Sequence, residues 1–379
     1  MGLLDDKIAE FNNRFKADLT TKGIPPSNPV YIPFSSPNLN YMLYGGLARG
    51  IIAEFYGLES GGKTTTCLDA IANAQPLFSK EYNNELQRLN ERSKKSPSKL
   101  LTQQIEELKE RGAQKVVYFD LEGTLKDQWA LSLGVDVKNM YVIRPQGQSA
   151  EELLTMAKEY LSTGGVGLMV IDSVPALESS SEQERAYDEQ TMGGGGVPKL
   201  LGRFCREIIP YLNKYQSTLI FINQVRDSMN AYGDPHSTPG GKAIKFYAAL
   251  RLQFQKGALI DEDGKELKRG TNHAVGNIVD ITLKKNKVNR PNREVGYYTL
   301  SYFDGILKDL DMINLLIYLN LISQAGSFYT FVNEDGEPFL DDAGKPIKAQ
   351  GKDKLVDLLN SNENMLAYYK KVMDEYIKN

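Results

Sequence analysis

A doubly wound α/β fold with a mostly parallel central sheet is what this sequence predicts, and three observations predict it. Short apolar runs alternate with helical stretches from Ile51 onward. Several of those runs are apolar throughout, as in strands covered on both faces. The segment Gly57-Leu58-Glu59-Ser60-Gly61-Gly62-Lys63-Thr64 fits the pattern G-x-x-x-x-G-K-[ST], with an apolar strand before it and a helix after it.

The strand candidates are Ile51–Tyr56, Lys115–Asp120, Met140–Arg144, Gly167–Asp172, Thr218–Asn223, Ala248–Gln255 and Asp280–Lys284. Ahead of them, Leu4, Ile8, Phe11, Phe15 and Leu19 recur at helical spacing, so residues 3–20 read as one amphipathic helix. It packs either on its own domain or on a neighbouring subunit. Residues 79–114 interrupt the rhythm with dense charge. Their two stripes, Leu86/Leu89 and Leu101/Ile105/Leu108, flank a breaker at 93–98 and predict a projecting helical hairpin. That hairpin is a solvated insertion or a contact for a partner or DNA. After about residue 304 a helix over Leu307–Gln324, a turn at 333–336 and a final helix predict a small α+β domain. The organisation expected is an N-terminal helix and linker over 1–30, a core over 31–303 and the small domain over 304–379.

The bulk numbers bound the function. The chain has 379 residues, 41% hydrophobic and 25% charged, ordinary for a globular protein. No apolar run is long enough to span a bilayer, and no secretory signal is visible at the N-terminus. Cys67 and Cys205 read as buried thiols, which suits a reducing cytosol. His236 and His273 lack ligand spacing for zinc. A net charge of −3 argues against coating DNA by global charge, so any nucleic-acid contact must be local.

Five segments carry chemistry. In Gly57–Thr64 the glycines let backbone N–H groups wrap a polyphosphate, Lys63 reaches the β- and γ-phosphates, and Thr64 ligates Mg²⁺. Asp172 ends an apolar strand and is placed for the Mg²⁺ shell. Glu122, just past the strand ending at Asp120, either accepts a proton from the attacking water or caps the next helix. Gln224 ends another strand and either senses the γ-phosphate or is a plain strand-end polar residue. Lys284-Lys285-Asn286-Lys287 is a solvated edge or a source of cations for a phosphate, in cis or across a subunit boundary. Two glycine-rich loops, 192–196 and 233–241, follow strands and read as functional.

Taken in order, these segments resemble the bacterial RecA recombinase family. The most specific stretches are Glu54–Thr65, Val170–Ala176, Phe221–Arg226 and Gly240–Leu252. The resemblance implies a RecA-type P-loop ATPase core that uses ATP and Mg²⁺, forms a helical filament on single-stranded DNA and pairs it with homologous duplex. It implies that Gly57, Glu59, Ser60, Gly61, Gly62, Lys63, Thr64, Thr65 and Asp172 hold the nucleotide and metal. Trp129 falls where an aromatic residue stacks on adenine, Glu122 at the catalytic glutamate and Gln224 at the γ-phosphate glutamine. Lys285 and Lys287 match the lysine pair that reaches the neighbour's ATP, and Lys245 and Phe246 match an interface segment. Met192 and Gly193 fall in the first DNA loop. Arg226, Met229, Tyr232, Gly240 and Gly241 fall in the second.

This sequence also departs from the family pattern. Gly123 stands where a His is usual, four glycines occupy the first loop, the second is about one residue shorter, and the acidic tail is missing after Tyr376-Ile377-Lys378-Asn379. The 79–114 hairpin has no counterpart. These features point to a divergent member, with a phage or mobile element as the expected origin. Competing functions are a RecA-fold helicase or motor, an ATP-gated DNA clamp or mediator, and a small-molecule P-loop kinase. The Gly240–Ala248 run argues against the first, the intact Glu122, Lys63 and Asp172 against the second, and the two glycine loops against the third.

Overall fold

The fold is described from a computed structural model covering residues 3–15, 29–184, 196–227, 236–262, 264–268, 270 and 273–378. Its centre is a sheet of nine strands: β1 (Ile52–Gly57), β2 (Lys115–Asp120), β3 (Met140–Ile143), β4 (Val166–Asp172), β5 (Thr218–Gln224), β6 (Leu250–Ile260), β7 (Gly276–Asn286), β8 (Val295–Ser301) and β9 (Gly305–Ile306). Their spatial order is β9-β8-β7-β6-β1-β5-β4-β2-β3. From β3 to β6 every pairing is parallel, and from β6 to β9 every pairing is antiparallel.

Strand burial follows from sheet position. Every residue of β1 and β4 is buried, which explains their unbroken apolar character. On β2, Val116 and Tyr118 face one layer, while Val117 and Phe119 face the other. The first layer contains Cys67, Leu68, Ile71, Ala74 and Phe78 from the helix after the glycine loop. The second contains Leu153, Leu154 and Leu161 from the helix Ala150–Ser162, and Leu201, Phe204, Cys205 and Ile208 from the helix Gly196–Tyr215. Both cysteines are free and buried.

Four expectations need correction. The first hairpin arm is not a separate helix: the helix that starts at Lys63 runs unbroken to Lys95, through Pro76, and continues the apolar stripe outward. The second arm is Lys99–Arg111, capped by the Ser98 hydroxyl. The helix expected to reach Gln324 stops at Tyr318, because Asn320 turns left-handed at φ +58° and Ile322–Ala325 is a strand. Strands β8 and β9 were not expected. The final helix is two, Lys352–Ser361 and Glu363–Lys378.

The segment after residue 304 has its own apolar cluster, with Ile313, Leu316, Phe331, Leu355 and Tyr369 buried around a three-stranded antiparallel sheet. By contacts the chain divides into residues 1–30 and residues 31–379. In the first unit, Leu3–Phe15 is helical, with the Phe11 and Phe15 rings stacked. Residues 16–20 of the expected helix lie outside the described residues. Among the described residues no helix is long and apolar enough to cross a membrane.

Candidate functional site

Parallel strands bring their C-terminal ends to one edge of the sheet. Gly57, Asp120, Asp172 and Gln224 therefore finish close together, and in register Gly57 lies opposite Gln224 and Asp120 opposite Asp172. The loop 57–62 wraps over this edge and delivers Lys63 at the start of its helix. Two glycines are required there. A Cβ on Gly57 would meet the Phe254 carbonyl oxygen at 2.1 Å. Gly62 sits at φ +93°, and a Cβ there would lie 2.9 Å from the Tyr298 hydroxyl.

Lys63 is buried. Its Nζ donates to the carbonyls of Gly57 at 3.0 Å and Leu58 at 2.7 Å. Burial lowers its pKa, and the nearby Asp172 opposes that shift. The Thr64 hydroxyl lies 3.3 Å from Asp172 Oδ2. The same carboxylate oxygen accepts from the Tyr118 hydroxyl at 2.5 Å. Burial raises the Asp172 carboxyl, while the Tyr118 and Thr64 hydrogen bonds pull it back. Glu122 is exposed and accepts from the Ser173 hydroxyl, just after the cis Asp172–Ser173 peptide. Asp120 orders the loop carrying Glu122: it accepts from the backbone N–H of Thr124 at 3.0 Å and pairs with Arg144 at 2.8 Å.

A buried network lies one layer beneath. Glu54, fully buried on β1, pairs with Arg251 of β6 at 2.5 Å and accepts from Asn223 of β5 at 2.9 Å. Asn223 also donates to the Pro239 carbonyl at 2.9 Å, and its own oxygen accepts from the Gln224 N–H at 3.0 Å. Arg251 lies opposite Lys285 in register. Lys285 Nζ donates to the carbonyls of Lys245 at 2.6 Å and Phe246 at 2.9 Å, the C-terminal end of the helix Lys242–Tyr247. Burial lowers the Lys285 pKa, and the Lys287 and Arg251 charges add to that shift.

The structure thus gathers Gly57, Gly61, Gly62, Lys63, Thr64, Thr65, Asp172, Glu122 and Gln224 at one edge, with Glu59 and Ser60 exposed on the loop. Trp129 is half-buried against the apolar layer under the loop's helix. Lys245, Phe246, Lys285 and Lys287 form a separate group around β7, with the Phe246 ring 68% exposed. Gly240 and Gly241 have left-handed φ of +86° and +70° and abut Leu201 and Pro198. Arg226 begins a two-residue strand paired with His236–Ser237 at the neck of the second loop; its side chain is outside the described set. Met192, Gly193, Met229 and Tyr232 lie outside the described residues.

Sequence reasoning missed Tyr118, Ser173 and the Glu54–Arg251–Asn223 network. A carboxylate and a guanidinium inside apolar strands were the available signal for the network, since such groups are buried only when paired. The donor set fits a polyphosphate with a hard cation: a cradle closed to side chains at Gly57, a buried ammonium, and a hydroxyl beside a carboxylate.

A family model described as the RecA N-terminal domain matches residues 91–307. That range begins beyond the glycine loop, whose assignment rests on its own pattern and geometry. Protein RecA of Petrotoga mobilis is 32% identical over 352 residues, spanning 92% of this chain and 81% of that one. Protein RecA of Streptomyces avermitilis is 30% identical over 377 residues, spanning 98% and 84%. A solved structure of the RadB recombinase aligns with TM-score 0.45 at 18% identity, over 71% of this chain and 95% of that one. With the family model covering more than half the chain and relatives aligned over nearly all of it, the protein belongs to the RecA family of recombinases.

Proposed function

We propose that the protein binds ATP with Mg²⁺ at Gly57–Thr64, forms a filament on single-stranded DNA in the cytoplasm, pairs that strand with homologous duplex and hydrolyses ATP in the process. The observation that carries this reading is the convergence of Lys63, Thr64, Asp172, Glu122 and Gln224 on one sheet edge. Lys63 and the loop N–H groups hold the phosphates. Thr64 and Asp172 hold the cation, which neutralises phosphate charge when bound. Glu122 accepts the proton of the attacking water, and Ser173 fixes its carboxylate. Gln224 reports the state of the phosphate to the second loop through Asn223, whose amide also holds the Pro239 carbonyl.

Lys285 and Lys287 complete the site of the next protomer, with Lys245 and Phe246 at the same boundary, and the helix Leu3–Phe15 packs on a neighbour. Trp129 stacks on adenine. The loops at 192–196 and 225–241 grip DNA through Met192, Gly193, Arg226, Met229, Tyr232, Gly240 and Gly241. Backbone amides suffice for a sequence-independent grip, which fits the acidic composition.

The test compares wild type with Glu122→Gln for ATP hydrolysis with and without single-stranded DNA, and for joint-molecule formation with homologous duplex. Wild type should hydrolyse ATP faster on the strand and form joint molecules. Glu122→Gln should lose hydrolysis by about 10²-fold or more while still binding ATP. Hydrolysis indifferent to DNA, with no joint molecules, refutes the recombinase reading; unwinding without pairing would favour a motor.

A further inference from the structure

The projecting part of the hairpin, residues 79–111, is rooted at the sheet edge opposite the nucleotide site. Buried Arg49 makes that root. Its guanidinium binds Glu81 on the first arm and Gln114 just after the second, and its Nε donates to the Gln216 carbonyl at 2.9 Å. Gln114 donates to the Tyr215 carbonyl at 2.8 Å. Arg49, Gln114 and Gln216 all stand just before strands β1, β2 and β5, at the N-terminal ends of parallel strands. The first arm leaves the apolar layer after Phe78, so residues 79–95 project by about 25 Å, and the whole helix from Lys63 spans about 50 Å. Leu89, Leu101 and Leu108 zip the two arms together, with Leu86 and Ile105 alongside.

The tip of this rigid arm is cationic. Arg92, Lys94, Lys95 and Lys99 fall within eight residues, and no acidic residue occurs between Glu91 and Glu106. All four cations are exposed, and none makes an ion pair among the described residues. Lower down, Arg88 is paired with Glu85. Helix electrostatics accounts for part of the charge only. Cations in the last turn of the first arm suit that helix end, but Lys99 opens the second arm, where a cation is unfavourable. A protein with net charge −3 thus carries a cluster of four cations without an ion pair at the far end of a stalk, among the described residues.

We propose that this tip is a docking site for the phosphate backbone of duplex DNA, separate from the strand-gripping loops. Three of the four cations are lysines, whose ammonium groups act as point charges rather than as forks for carboxylates, which suits sequence-independent phosphate contact, and the Arg92 fork matches a phosphate as well as it does a carboxylate. Ser93 and Ser96 stand beside them as neutral phosphate donors. In the proposed function, on which this assignment rests, single-stranded DNA is held at the opposite edge, out of reach of the tip within one protomer. A duplex presents twice the linear charge of one strand and is the second DNA of the exchange reaction. The site adds to the proposed function and does not depend on ATP.

The test uses the full chain without nucleotide, a labelled blunt duplex, a labelled single strand and labelled poly-glutamate, each titrated with NaCl. Arg92→Gln, Lys94→Gln, Lys95→Gln and Lys99→Gln are combined, with single-strand-stimulated ATP hydrolysis as the control for folding and for the loops. Duplex affinity should fall by about tenfold or more, and the slope of log K against log salt should become shallower by up to about 3.6. Single-strand binding and hydrolysis should hold. An unchanged duplex affinity and slope overturns the proposal. An equal loss for both DNAs overturns the duplex assignment, and a loss confined to poly-glutamate makes the partner an acidic protein. If the quadruple variant fails to fold, Lys94→Glu with Lys95→Glu gives the same readings, because both residues are solvent-facing.

Discussion

Replacing Arg251 by Met should be among the most damaging single changes in the core, although the residue lies outside the phosphate loop. Arg251 is the cationic partner of Glu54, whose carboxylate is fully buried between β6 and β5. Removing the guanidinium leaves that carboxylate with the Asn223 amide at 2.9 Å as its remaining side-chain donor. Breaking one side of a buried pair costs about 3–5 kcal/mol. Loss of the Arg251–Tyr56 ring contact, 4.6 Å to the centroid, adds up to about 1 kcal/mol. Against a total stability of roughly 5–15 kcal/mol, the single variant should lose a large fraction of its stability. Glu54→Gln with Arg251→Met should recover most of it, since no unpaired charge is then buried. Urea unfolding followed by the fluorescence of Trp129, the single tryptophan, measures both. A single variant within about 1 kcal/mol of wild type, or a double variant no better than the single, would refute the claim that charge pairing governs this layer.

Three further outcomes are expected. Lys285→Ala should abolish strand-stimulated hydrolysis yet cost only about 1 kcal/mol of stability, as two helix-end carbonyls lose a donor; retained stimulation would remove Lys285 from the composite site. Gly62→Ala should weaken ATP binding and cost about 1–3 kcal/mol, because φ +93° disfavours a side chain and the Tyr298 hydroxyl leaves no room; calorimetric titration with ATP checks it. Burial pushes the Asp311 carboxyl up to about 7. A folded-state pKa above the unfolded value of about 3.9 means that the native state holds the extra proton, so this group's contribution is fully present below about pH 4 and is lost as pH rises through 7. Asp311→Asn should flatten the decline in stability between pH 4 and 8, by up to about 4 kcal/mol, and equal slopes for both proteins would disprove it.

The phosphate edge was legible because each of its residues sits at a strand end or in a glycine loop, where local pattern and chemistry coincide. Asp172 and Glu122 could be placed without knowing which strands are neighbours. The Glu54–Arg251–Asn223 network could not, since it joins three strands separated by up to 197 positions and only the pairing order reveals it. Strand β8 went unseen because its Tyr-Tyr-Thr-Leu run lies beyond a polar stretch and pairs at the antiparallel side. The hairpin was legible as two apolar stripes, but charge density hid the fact that its first arm continues the phosphate-loop helix. Helical spacing is unchanged across residue 79, and only the apolar partner changes, from sheet to second arm.

That continuity has a mechanical consequence. One unbroken helix starts on the loop that holds phosphate and ends at a point about 50 Å away, but its inner half is packed in the core and Arg49 holds the shaft at Glu81. The segment beyond Glu81 is therefore the free lever, about 20 Å long, and a tilt of about 5° there would sweep the tip sideways through roughly 2 Å.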